Sequence, residues 1–171
     1  MSFLQNLFPD RKQRAALAPL YAAIVAEGRD PFWYREGEVP DTIDGRFDMV
    51  AAVTALVLLR FEVEGEAGRG PAVLLTETFI DDMDATLRQI GIGDYVVGKH
   101  VGRMMSALGG RLAAFRDARE SGSLAGAARR NIFHESPASD AALAHVAGRL
   151  ERLAAGLAAA STETLVGGSL S

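Results

Sequence analysis

Residues 49–59 read MVAAVTALVLL, an uncharged run in which Thr54 is the one polar side chain. It is about half the ~20 residues that a membrane-spanning helix needs. Apolar on every side, it predicts a helix buried all round within a globular core. Just upstream, Asp41, Thr42 and Asp44 offer side-chain oxygens to cap a helix running from about Asp44–Gly45 to Glu62. Elsewhere nothing alternates with period two over the length of a strand. Apolar residues recur at helical spacing between Gly, Pro and Asp breaks. The fold class that follows is all-α, a single-domain bundle of about five to six helices with a buried central apolar helix.

On the N-terminal side, a first helix is expected from Asp10 to Glu27, with Pro9 before it, Gly28 after it, and Pro19 inside to kink or divide it. DPFWYREGEVPD (30–41) reads as irregular, with Phe32, Trp33 and Tyr34 as a lid over helix ends. On the C-terminal side, GEAGRGP (65–71) reads as a loop, and with no Lys-Ser/Thr after its glycines it is no phosphate loop. A third helix, Ala72 to Ile90, has an apolar face of Phe79, Ile80, Met83, Leu87 and Ile90. An acidic strip of Glu77, Asp81 and Asp84, closed by Arg88, lies on another face. Gly91 should end it, and Gly93-Asp94 should turn the chain tightly into the next helix.

That fourth helix, Tyr95 to Arg119, carries two stripes. Val97, Val101, Met104, Met105, Leu108, Leu112 and Phe115 form a core face. Gly98, Gly102, Ser106, Gly109 and Ala113 form a second one of small residues only. Glycine in a helix costs about 0.5–1 kcal/mol relative to alanine, so close approach of another element is expected there. A helix of the same chain is the plain expectation, and a groove for a partner's helix is the functional alternative. Lys99 and Arg103 lie one turn apart opposite the core, with Arg111 further round. They are expected to pair with the acidic strip of the preceding helix or to meet a partner or anionic surface. A short helix is expected over Leu124 to Phe133. A last one, Ala138 to Ala160, begins after Ser136-Pro137, its Leu143, Val146, Leu150, Leu153 and Leu157 forming a narrow seam against the protein's own bundle. The domain reading is a short apolar segment (1–8), a helical core (9–120), additional C-terminal helices (121–160) and a loose tail (161–171).

Composition narrows the function. The chain has 171 residues, no cysteine, three histidines and net charge −4, which excludes disulfides and thiolate metal sites and argues against a DNA partner. Residues 1–97 hold 9 basic and 16 acidic side chains while residues 98–152 hold 9 and 5, so the charge is unevenly divided. Asp81-Asp82-Met83-Asp84 is one residue too tight for the DDxxD of isoprenoid synthases, no Gly-x-Ser-x-Gly occurs, and no histidine has an evident Ser or Asp partner in sequence. No enzyme, metal or cofactor is expected. Phe3, Leu4, Leu7 and Phe8 ahead of Arg11, Lys12 and Arg14 give the alternative of a peripheral membrane adaptor. No export signal is expected, which makes the location cytoplasmic or peripheral on the cytoplasmic face of the inner membrane.

VPDTIDGRFDMVAAVTALVLLRF (39–61) followed by FIDDMDATLRQIGIGDYVVGKHVGRMMSALGGR (79–111) resembles the ubiquinol–cytochrome c chaperone family over roughly residues 12–120. The residues that carry the likeness are Pro40, Asp41, Asp44, Gly45, Arg46 and Asp48, then Asp82, Asp84 and Arg88, then Gly91, Gly93, Asp94, Gly98 and Lys99. The chain departs at Leu108-Gly109 and Val53-Thr54, where relatives tend to carry Phe-Tyr and Leu-His. The resemblance implies a non-enzymatic assembly factor for the cytochrome bc1 complex. It implies as partners cytochrome b or another bc1 subunit, with a second assembly factor or the ribosome beside it. Candidate contacts for partner or client are Asp82, Asp84, Arg88, Lys99, Gly102, Arg103, Ser106, Gly109 and Arg111. The runs around Pro40–Asp48, Gly91–Asp94 and Gly98 are candidates for a structural motif.

Overall fold

In the computed structural model the described residues are 9–89, 94–134 and 136–170, and every regular element among them is helical. The apolar segment 1–8 and the turn with Gly91 and Gly93 lie outside those residues.

Helix α1 spans Pro9–Gly28 with Pro19 inside it, and the proline does not divide it. It ends under the aromatic lid. Asp30 caps the short α2, Pro31–Arg35, by accepting from the Phe32 amide at 2.8 Å. The indole of Trp33, fully buried, donates to the Glu27 carbonyl at 2.7 Å, and the Tyr34 hydroxyl donates to that of Gly28 at 2.7 Å. Two of the carbonyls that any helix end leaves without a partner are thereby satisfied. From the far side Arg149 pairs with Glu27 and Asp30, its guanidinium 4.8 Å from the Phe32 ring and 4.7 Å from that of Trp33.

Helix α3 spans Ile43–Val63, and of the three candidate caps Thr42 holds the position, its hydroxyl accepting from the Gly45 amide at 3.0 Å. Every residue from Asp48 to Leu59 is buried, and the helix packs against α1, α4 and α5 as well as later elements. Thr54, within that run, satisfies its hydroxyl on the Val50 carbonyl at 2.8 Å. Gly65, with φ 60°, then reverses the chain. Helix α4 starts at Glu66 and reaches Gln89, so the expected loop 65–71 is mostly its first turns. The glycine that suggested a break serves packing instead: a side chain at Gly68 would overlap the Phe61 carbonyl, and its absence lets α4 start directly against α3.

Helix α5, Asp94–Ser121, packs on α3 and α4, with Leu108 and Phe115 buried and Met104 and Leu112 against the core. The short α6, Ala125–Ala128, runs into a π-helical turn, Arg129–Phe133, that buries Ile132 and Phe133. Helix α7, Asp140–Ala159, is capped by Ser139, and its seam packs on this chain's own core through Val146, Leu150 and Leu157. Arg60 of α3 donates to the Leu157 and Ala160 carbonyls at the end of α7, at 2.8 and 2.9 Å. The tail expected to be loose is instead ordered. Ser161 caps α8, Thr162–Val166, which buries Leu165 completely and rests on α1. Gly168, at φ 93°, fits against the Pro19 carbonyl. One apolar side chain and a left-handed glycine suffice to seat this turn.

Candidate functional site

The motif residues ahead of α3 build the helix start. The Pro40 carbonyl accepts from the Thr42 amide at 2.9 Å, and a side chain at Gly45 would overlap that same carbonyl. Arg46 donates to Asp41 at 2.7 Å and lies 6.0 Å from the Tyr34 ring. Exposed Asp44 stands in the first turn, where a carboxylate complements the positive helix end. Pro40, Asp41, Gly45 and Arg46 thus take part in building the start of α3.

Asp48 differs from its neighbours. Only 5% exposed, it pairs with Arg111 of α5, itself 2% exposed. Its second oxygen lies 2.9 Å from Nε2 of His134, at the end of the π turn. Arg111 also donates to the Asn131 carbonyl at 2.8 Å and lies 5.5 Å from the Phe47 ring, while its Nε is buried with no partner. Burial pushes the Asp48 carboxyl above its usual range and pulls Arg111 below its own, each partly offset by the other's charge. His134 has φ 51° and ψ −119°, an uncommon conformation for a residue with a Cβ, costing on the order of 1–3 kcal/mol. Arg111, expected as an outward contact for a partner, is therefore an internal tie between α3, α5 and the π turn. Asp48 is a buried ion-pair member and no helix-start acid.

The acidic strip of α4 is also engaged within the chain. Arg14 of α1 pairs with Glu77 at 2.8 Å and Asp81 at 2.5 Å, so α1 takes the place expected for Lys99 and Arg103. The Tyr21 hydroxyl donates to Asp82 at 2.8 Å, and Arg88 pairs with Asp84 one turn away at 2.7 Å. Burial first, then the Asp82 carboxylate, raises the Tyr21 hydroxyl well above its ordinary pKa. The carboxylates of α4 thus face α1 and their own helix. Among the described residues no group of His, Asp or Glu is arranged to hold a metal.

On α5, Gly98, Gly102, Ser106, Gly109 and Ala113 are all exposed, and Lys99 and Arg103 stand exposed beside them. A side chain built at Gly98, Gly102, Gly109 or the adjacent Gly110 would meet nothing among the described residues within 4 Å. Among the described residues no helix covers the stripe, contrary to expectation: the helices gather on the opposite face, around Leu108 and Phe115. Helix propensity lost at these glycines, about 0.5–1 kcal/mol each, is not recovered by packing among the described residues.

Comparison with protein families matches residues 35–171 to the ubiquinol-cytochrome C chaperone model. The chain belongs to the ubiquinol–cytochrome c chaperone family. The match takes in α6, the π turn, α7 and α8, well beyond the runs that carry the resemblance in sequence. The crystal structure of the Cbp3 homolog from Brucella abortus is similar at 29% identity and a TM-score of 0.80, covering 99% of this chain and 96% of that one. No curated protein matches.

In this chaperone, Asp48 lies within the first family run and Arg111 ends the second, and the fold joins them. Sequence reasoning missed that pairing and His134 altogether. A signal was present: Arg111 lies three residues after Leu108 and four before Phe115, which puts it at the border of the core face. Among the described residues, no helix of the chaperone is long and apolar enough to cross a membrane.

Proposed function

We propose that this chaperone serves assembly of the cytochrome bc1 complex by holding an apolar segment of unassembled cytochrome b, without catalysing a reaction. In this reading α3 is the axis of a single bundle and the outer face of α5 is the docking surface. Family membership over residues 35–171 carries the proposal. The bare face of α5 supports the choice of surface: small residues allow another backbone to approach closely, and half-buried Met104 and Met105 flank them with adaptable apolar area. Lys99, Arg103 and Ser106 would orient the segment at its rim. Asp82, Asp84 and Arg88, engaged within the chain, would act by shaping α4 next to this face. A second assembly factor or the ribosome would share the work, at the cytoplasmic face of the inner membrane.

The test is deletion of the gene in its host, followed by quantitation of assembled bc1 by native electrophoresis and of its haems by difference spectra. Loss of complex, restored by the unaltered gene but not by one encoding Gly102→Leu and Gly109→Leu, is the expected outcome. Unchanged complex levels after deletion would remove the assembly role. Full rescue by the double variant would remove the docking face and leave the role intact.

A further inference from the structure

Several uncommon features meet in the short stretch that follows α5. The π-helical turn at Arg129–Phe133 is a geometry found mostly at functional positions. His134 leaves it at positive φ. The Asn131 carbonyl is held by Arg111, a buried guanidinium whose Nε lacks a partner. The groups around the Asp48 carboxylate are Arg111 from α5, His134 from the turn and, more distantly, Asp44 from α3's own first turn. A segment held in an unusual conformation by a polar cluster, with one donor left unsatisfied, carries a local cost that its opening would relieve.

We propose that residues 125–134 form a strap that opens as a unit from α3 and α7 while the rest of the bundle stays folded, with Asp48, Arg111 and His134 as its latch. The boundaries of the strap are visible. On one side Gly122, at φ 84°, supplies a hinge, and the Leu124 amide stays anchored on Glu151 at 3.0 Å. On the other, His134 marks the end of the π turn. Within the strap the Asn131 side chain donates to the Ala127 carbonyl at 2.8 Å, which makes α6 and the turn one piece. Opening would uncover Ala127, Ala128, Ile132 and Phe133, all at most 1% exposed when the latch is shut. The opening does not rest on the chaperone reading, and its test contains no client.

Because the chain has no cysteine, a single introduced thiol reports on its own surroundings. The full-length variants Ile132→Cys and Leu20→Cys place the probe at sites 1% and 0% exposed, in the strap and on α1. Their reaction with a thiol reagent is followed under native conditions. The strap thiol is expected to react about tenfold faster or more, since it needs only local opening. Equal rates, meaning that both report global unfolding, would overturn the proposal. Adding His134→Ala, which removes a half-exposed ring and so spares the core, is expected to raise the strap rate by about tenfold and leave the Leu20→Cys rate within about twofold. Equal acceleration of both probes would dismiss the latch. If the added substitution prevents folding, the comparison of the two single-cysteine proteins decides by itself.

Discussion

Replacing Gly98, Gly102 and Gly109 together by alanine gives the sharpest test of the bare α5 face. Each lies inside a long helix, and at none would the new methyl group meet an atom of the described residues within 4 Å. The variant therefore gains helix propensity without a steric penalty, about 0.5–1 kcal/mol per site. The sites are spaced along the helix and share no partner, so their effects add to about 1.5–3 kcal/mol. For a domain of this length each kcal/mol moves the melting temperature by about 2–4 °C, which predicts a rise of about 3–12 °C in calorimetry. Gly68→Ala is the control of opposite sign. There the methyl group would press into the Phe61 carbonyl, and the protein should melt lower. A triple variant that melts at or below the parent would show that something of this chain lies on the stripe, and the docking surface would go with it.

Breaking the buried pair by Asp48→Ala leaves Arg111 charged without a counter-ion and should cost about 3–5 kcal/mol in urea unfolding; a loss under 1 kcal/mol would contradict the burial of both groups. Trp33→Ala removes a fully buried ring and a bond to the end of α1, with an expected loss of about 3–5 kcal/mol and a parallel loss of protection at the α1 C-terminal amides in hydrogen exchange. Acid stability tests the Asp30 carboxyl, held below its usual range by Arg149 first and the Phe32 amide second. Its stabilisation is complete above the unfolded value near pH ~4 and disappears as pH falls through the lower folded value, so Asp30→Asn should flatten that limb in urea titrations. At the alkaline end Tyr34 is pushed by burial to about 12, so its contribution is lost as pH rises above ~10, and Tyr34→Phe should remove that slope.

Much of this architecture is legible in the sequence because it depends on local chemistry. The uncharged run 49–59, the hydroxyl of Thr42, and the spacing of Val146, Leu150 and Leu157 each dictate an element through neighbours within two turns. What sequence left open depends on distant partners. Gly68 reads as a breaker until the Phe61 carbonyl is seen against it. The stripe on α5 declares that something can come close, and spacing says nothing of whether this chain supplies it. Asp48 and His134 are 86 positions apart, so no local pattern could bring them together.

The stitching of α1 to α7 and α8 has a consequence for how the molecule is made and how it can be altered. Arg149 grips the end of α1, α8 lies on the same helix, and Gly168 closes over Pro19. The seat of α1 is thus completed only by residues more than a hundred positions later, so α1 cannot lock in place before α7 and α8 have been made. Removing α8 and Gly168 should therefore unsettle α1, distant in sequence, more than it disturbs α5 nearer by.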